Sequence, residues 1–263
     1  MVVFDDITTL LLAQRVAAWG EVARRLAHEI KNPLTPIQLA AERMRRKFLG
    51  AMDEKDAQIL ERATHTIVQQ VEAMKRMVNA FSEYARAPSM QLARFDPNQL
   101  VVEVVELYRG QGPHVRIRQE LDPALGSIEA DRGRLRQILH NLLTNAFEAL
   151  EGQADAEVTV STARSTLQGS PVLELTVADN GPGFQSDIIG QVFDPYVTSK
   201  PKGTGLGLAI VKKIVEEHGG RIDAENARSG GARVRVLLPL DLPTRATPAA
   251  RDSRANEPRR ERA

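Results

Sequence analysis

The sequence predicts an α+β protein in two parts, a helical hairpin followed by an α/β sandwich. Three observations carry that reading. Two long stretches repeat apolar residues every three or four positions, the period of a helix with one buried face. After Ala87-Pro88-Ser89, a break that reads as a hinge, the pattern changes to short alternating runs between capped helical stretches. Consecutive strand patterns late in the chain then suggest helices on one face of a mixed sheet.

The first helical stripe runs Trp19, Val22, Leu26, Ile30, Leu34, Ile37, Ala41, Met44 and Phe48. His28 lies two residues past Leu26, about 200° around a helix at roughly 100° per residue, so it faces away from the stripe. Pro33 removes a backbone donor and frees the carbonyl of Glu29, which predicts a bend one turn after the histidine. Gly50 ends this helix and Asp53 caps the next. The second stripe is Leu60, Ala63, Ile67, Val71, Met74, Val78, Phe81 and Ala85. Two such helices on a short loop form an antiparallel hairpin, which covers its stripe on one side only. Two hairpins close a four-helix bundle, so a homodimer is expected, with packing on the downstream domain as the alternative.

In the second part, Asp96-Pro97 is an N-cap followed by Pro at the first helical position, opening a helix to Tyr108. The run 115–121 alternates as a half-buried strand does. Asp131 caps a helix reaching Leu150. Strands are expected at 158–163 and 172–178, a helix at 208–218 stopped by Gly219-Gly220, and two closing strands at 221–224 and 232–238. From Pro243 the chain is Pro, Ala and Arg with almost no large apolar residues, a disordered tail by composition.

Composition excludes several functions. The chain has 263 residues, room for about two domains, and 42% apolar content, enough for packed cores. Net charge is +1, which gives no electrostatic case for nucleic acid or an anionic membrane. With no Cys, disulfides and thiolate metal sites are out, and the five His show no zinc spacing. No apolar run approaches the roughly 20 residues that span a bilayer, and no signal peptide opens the sequence. A cytoplasmic segment is expected, whose longer parent protein could be anchored in an inner membrane.

Four segments of the second part carry chemistry together. Asn141 and Asn145 are four apart and share a helix face, and carboxamide oxygens suit a hard cation such as Mg²⁺. Asp179-Asn180-Gly181-Pro182-Gly183 follows an apolar strand, where a carboxylate can accept from an exocyclic amine while glycines admit a ring. Phe193-Asp194-Pro195-Tyr196 comes next. Lys200 through Gly207, with Gly203-Thr204-Gly205-Leu206-Gly207 opening a helix, presents backbone N–H groups to phosphates.

The block His28-Glu29-Ile30-Lys31-Asn32-Pro33 resembles the phosphoacceptor box of sensor histidine kinases, and Ala17 to Ala41 is similar to the nitrogen-regulation kinases of the NtrY type. The four later segments resemble the N, G1, F and G2 boxes of the histidine-kinase ATP-binding domain, the fold shared with DNA gyrase and Hsp90. The resemblance implies a linker over 1–18, a dimerisation and phosphotransfer domain over 19–87, a catalytic domain over 91–241 and a tail over 242–263. Val2 to Thr8 resembles the end of a PAS sensor domain, with an arbitrary start as the alternative. By the same resemblance Asn145 would hold Mg²⁺, Asn141 would help fix metal and phosphates, and Asp179 would read adenine. Gly181 and Gly183 would shape that pocket. Phe193, Lys200, Gly203, Thr204, Gly205, Leu206 and Gly207 complete the implied ATP site. His28 would take the phosphoryl group, Glu29 its proton, and Asn32 would serve a phosphatase activity on a response-regulator receiver. Related ATPases carry a Glu where this chain has Asn141, and an amide cannot activate water. A gyrase/Hsp90-fold ATPase and a catalytically inactive dimeric scaffold remain the alternatives.

Overall fold

The computed structural model describes residues 8–85, 90–110, 115–200, 203–228 and 230–241. The expected tail, the Ala87-Pro88-Ser89 hinge and the strand at Val2 to Thr8 fall, wholly or nearly so, outside the described residues. Helix α1 (Thr8–Phe48) runs unbroken through Pro33 and Pro36. Each proline leaves one carbonyl without its helical donor, that of Glu29 and that of Asn32. Arg45, Arg46 and Lys47 complement the negative end of the helix dipole. A 3-10 turn (Leu49–Ala51) leads to α2 (Glu54–Ala85). Asp53 caps α2 as expected, accepting from the Asp56 N–H at 2.9 Å. Lys75 Nζ donates to Gln38 Oε1 across the hairpin at 2.8 Å, which pins the register of the two helices.

The first stripe divides in the structure. Leu34 and Ala41, with Ala23 and Ala27 beside them, are buried against α2, whose Thr64 and Val71 are buried in return. Val22, Leu26, Ile30, Ile37, Met44 and Phe48 stay 39–49% exposed. An apolar arc of roughly 100° is wider than one antiparallel neighbour covers. The uncovered line continues on α2 through Ile67 and Met74.

The second part holds β1 (Leu92–Phe95), α3 (Pro97–Tyr108), β2 (Val115–Leu121), β3 (Ile128–Asp131), α4 (Arg132–Ala149), β4 (Ala156–Leu167), β5 (Ser170–Asp179), a 3-10 turn (Ile189–Gln191), α5 (Gly207–Glu217), β6 (Arg221–Asn226) and β7 (Ala232–Pro239). Five strands form one sheet in the order β2-β4-β5-β7-β6, with β2 parallel to β4 and the rest antiparallel. Strands β1 and β3, which the sequence pattern does not announce, pair as a separate two-stranded sheet. Helices α3, α4 and α5 bury one face of the large sheet around Leu139, Leu143, Val158, Val160, Leu175 and Val236. Arg116, Arg118, Arg233 and Arg235 lie exposed on its strands.

Buried polar groups tie the layers. Asp131 accepts from the N–H of Arg134 at 3.1 Å and of Gln91 at 2.9 Å, capping α4 and holding the chain before β1. Buried His218 donates from Nδ1 to the Ile214 carbonyl at 2.8 Å and accepts at Nε2 from the Asp131 N–H at 3.2 Å. The two parts also touch. Ala80, Phe81 and Tyr84 of α2 pack on the core of the second part. Lys213 of α5 donates to the Tyr84 carbonyl and lies over its ring, 5.5 Å from the centroid.

Candidate functional site

A cavity of about 690 Å³, a size that suits a nucleotide, opens between α4, the loop after β5 and the loop before α5. Asn141 and Asn145 line it from α4, half-buried. Among the described residues no hydrogen bond satisfies either amide. Both amides are open to the cavity, so the pair is free to bind a ligand there. The start of α5 stands directly opposite, since a Cβ added at Gly207 would lie 3.8 Å from Asn145 Nδ2 and 3.9 Å from Asn141 Oδ1. The positive end of α5 therefore faces the two amides.

Asp179 ends β5 at the other side of the cavity. Its Oδ1 accepts from the N–H of Gly181 at 2.9 Å and of Ala232 at 3.2 Å. The other oxygen, Oδ2, accepts no hydrogen bond among the described residues. Burial pushes the Asp179 carboxyl up from its ordinary value, while those two N–H groups and Lys200 pull it part of the way back. Gly231, absent from the sequence reading, is what lets β7 pass so closely. Its φ is +90°, and a Cβ there would fall 1.8 Å from the Asp179 carbonyl oxygen. The next residue, Asn180, turns away and staples the strand end: its side chain accepts from Glu157 N–H at 2.8 Å and donates to the Asp155 carbonyl at 2.7 Å. Asn226 of β6 clamps Phe184 just after Gly183, bonding both its N–H at 2.7 Å and its carbonyl at 2.8 Å.

The F and G2 segments are tied to each other. The Tyr196 N–H donates to the Gly205 carbonyl at 2.9 Å, and a Cβ on Gly205, at φ +66°, would strike the Tyr196 carbonyl carbon at 2.5 Å. Lys200, Gly203, Thr204, Gly205 and Gly207 line the cavity with Gly183. Three residues expected there do not. Phe193 packs against the core, Leu206 is fully buried beneath the start of α5, and Gly181 sits behind Asp179. Their apolar or backbone role supports the walls instead. The side chain of Lys200 reaches α4, where Nζ meets Glu148 Oε2 at 2.6 Å and the Asn145 carbonyl at 3.4 Å.

Sequence reasoning did not reach the wall supplied by α2. Arg76, Asn79, Ala80 and Glu83 line the cavity from the hairpin. These positions follow a helical period, and three of the four are polar. His28, Glu29 and Asn32 are all exposed on α1, and none of the cavity-lining residues belongs to that helix. Glu29 meets Arg25 at 3.2 Å, an exposed pair one turn apart. The structure thus assembles the nucleotide-type pocket and displays the histidine separately.

An exposed histidine on a helical hairpin stands beside an α/β sandwich with paired amides and a helix start at its cavity. Two family models agree with the two parts: His Kinase A (phospho-acceptor) domain over residues 18–89, and Histidine kinase-, DNA gyrase B-, and HSP90-like ATPase over residues 130–242. The chain belongs to the sensor histidine kinases, and within them it is NtrY-like. It is 43% identical over 261 residues to nitrogen regulation protein NtrY of Azorhizobium caulinodans, covering 94% of this chain and 33% of that protein. The chain therefore spans about a third of the length of that relative. Among solved structures it resembles full-length ShkA in complex with AMPPNP, with a TM-score of 0.63 at 27% identity, covering 83% of this chain and 45% of that one. It also resembles histidine kinase ThkA in complex with response regulator protein TrrA, with a TM-score of 0.60 at 27% identity over 86% of this chain and 63% of that one.

Proposed function

We propose that this segment is the core of an ATP-dependent protein histidine kinase, that it phosphorylates His28, and that it passes the phosphoryl group to an Asp of a response-regulator receiver. The observation that carries the reading is the pair of unsatisfied amides, Asn141 and Asn145, facing the start of α5 across one cavity with Asp179. Asp179 Oδ2 accepts from the adenine amine, and Lys200 with the backbone around Gly203 to Gly207 holds phosphates. Asn145, helped by Asn141, would hold Mg²⁺. The donor set fits: the amide oxygens of the two Asn line the cavity, and amide oxygens, phosphates and water suit this ion. When bound, the ion offsets charge on the phosphates.

In the transfer, a ring nitrogen of His28 forms a bond to the γ-phosphorus as the bond to the ADP oxygen breaks. The proton on the other ring nitrogen passes to the Glu29 carboxylate. Catalysis is then mostly placement of His28 against the cavity. Asn141 offers no carboxylate to activate water, which disfavours simple ATP hydrolysis at that position. A homodimer covers the exposed apolar line of α1 and α2. Asn32, one turn from His28 on the exposed face, orients water for dephosphorylation of the receiver. By its relative's name, nitrogen regulation is the physiological setting, in the cytoplasm of the cell. No helix among the described residues is long and apolar enough to cross a membrane. Incubation with γ-labelled ATP tests the proposal. Acid-labile, base-stable label is expected on the parent. His28→Ala should bind nucleotide and take no label; label persisting on that variant refutes the assignment.

A further inference from the structure

We propose that Glu148 tempers the affinity of this site for nucleotide and narrows its preference for ATP over ADP, by holding Lys200 until phosphate charge draws it away; this rests on the cavity being the Mg-ATP site. Glu148 continues the face of α4 that carries Asn141 and Asn145, three residues beyond the latter, and it lines the same cavity. A bare carboxylate there would repel a polyphosphate. The structure shows it occupied by a cation: Lys200 Nζ lies 2.6 Å from Glu148 Oε2, the shortest ion pair among the described residues. The same ammonium reaches the Asn145 carbonyl at 3.4 Å and acts electrostatically on Asp179.

Lys200 thus stands between two sets of anions. Without nucleotide it neutralises Glu148. With nucleotide it is drawn to the phosphates beside Asn145. Both side chains are partly open to water, 34% for Lys200 and 53% for Glu148, so the pair is weak enough to exchange. A triphosphate carries one more negative charge than a diphosphate and competes better for the lysine. Once the γ-phosphoryl group has left for His28, the remaining ADP holds Lys200 less firmly. The lysine then returns to Glu148, which favours release of the product. Glu148 is a positioning residue that acts through Lys200.

The test is calorimetric, with the whole chain, Mg-AMPPNP and Mg-ADP, and four proteins: parent, Glu148→Gln, Lys200→Gln and the double variant. Glu148→Gln should tighten AMPPNP about threefold to fivefold, the size expected of a half-exposed ion pair, and ADP less, raising selectivity. Glu148→Asp should keep the parent's selectivity. In the Lys200→Gln background, Glu148→Gln should change selectivity less than it does in the parent, because only direct repulsion is left. Unchanged selectivity in Glu148→Gln overturns the inference. Weaker binding of both ligands also overturns it, since Glu148 would then be presenting Lys200 rather than withholding it. A parent that binds neither nucleotide refutes the ATP-site reading itself and this inference with it.

Discussion

Replacing Gly231 and Gly230 separately by alanine distinguishes backbone strain from a steric clash behind Asp179. Both glycines have left-handed φ, +94° at Gly230 and +90° at Gly231. A Cβ on Gly230 meets nothing within 4 Å, so Gly230→Ala carries only the conformational cost. That cost is about 1–2 kcal/mol, or about 2–8 °C of Tm at roughly 2–4 °C per kcal/mol. On Gly231 the Cβ would lie 1.8 Å from the Asp179 carbonyl oxygen, 2.7 Å from its carbonyl carbon and 2.8 Å from Asn180 Cα. Those are backbone atoms at the paired end of β5 and cannot rotate away. Overpacking adds about 1–3 kcal/mol, so Gly231→Ala should lose about 4–20 °C. The function should separate further. Moving β7 away from β5 breaks the 3.2 Å bond from Ala232 N–H to Asp179 Oδ1 and turns the carboxylate. Adenine nucleotide affinity should fall about tenfold or more, the worth of one charge-assisted hydrogen bond, while Gly230→Ala keeps the parent's affinity. Differential scanning calorimetry and nucleotide titration on both variants decide it. A Gly231→Ala protein matching Gly230→Ala in both Tm and affinity would show that Asp179 is not held from behind by β7.

Other outcomes can be checked alongside. Ile30→Asp puts a charge in the uncovered line of α1 and should leave a monomer by light scattering at low micromolar concentration; a persisting dimer would mean the hairpins meet elsewhere. Asn32→Ala should keep autophosphorylation and lose receiver dephosphorylation, while Glu29→Ala should lose the kinase reaction first; equal phosphatase rates in parent and Asn32→Ala would make Asn32 structural. Burial raises the Asp179 carboxyl above its ordinary 3.8, so the folded state binds the proton more tightly than the unfolded one. The Asp179 contribution to stability is therefore most favourable at low pH and declines as pH rises from 3.8 to the folded value. Relative to the parent, Asp179→Asn should gain Tm across that rise and hold a constant difference above it; a difference independent of pH throughout would contradict the burial argument.

Much of the fold was legible because its signals are local. Asp53, Asp96 and Asp131 cap the helices they were expected to cap, and the alternation at Val115–Leu121 coincides with β2. Strands β1 and β3 escaped because they are four residues long, and neither shows a repeat of its own. They become strands by pairing with each other, a tertiary fact. The first apolar stripe was visible as one feature, yet packing divides it, since periodicity records that a residue is apolar and not which neighbour covers it. The pocket was legible where chemistry needs unusual residues, as at Asn141, Asn145 and Asp179. It was not legible at Arg76, Asn79 and Glu83, whose polar side chains look the same facing solvent or facing a ligand. Gly231 left one signal, a Gly-Gly pair at the mouth of a strand, which reads as a plain turn without the strand that passes behind it.

The last turns of α2 belong to two structures at once. They end the hairpin, and through Ala80, Glu83 and the Tyr84–Lys213 contact they are also masonry of the nucleotide chamber. A torque on the hairpin that displaces those side chains changes how well the chamber holds its contents. Reciprocity of free energies then requires that filling the chamber exerts the opposite torque on the hairpin. In such a shaft, message and fuel gauge are read from the same few side chains, and a signal arriving along α1 and α2 need travel no further than residue 84 to be felt by the nucleotide.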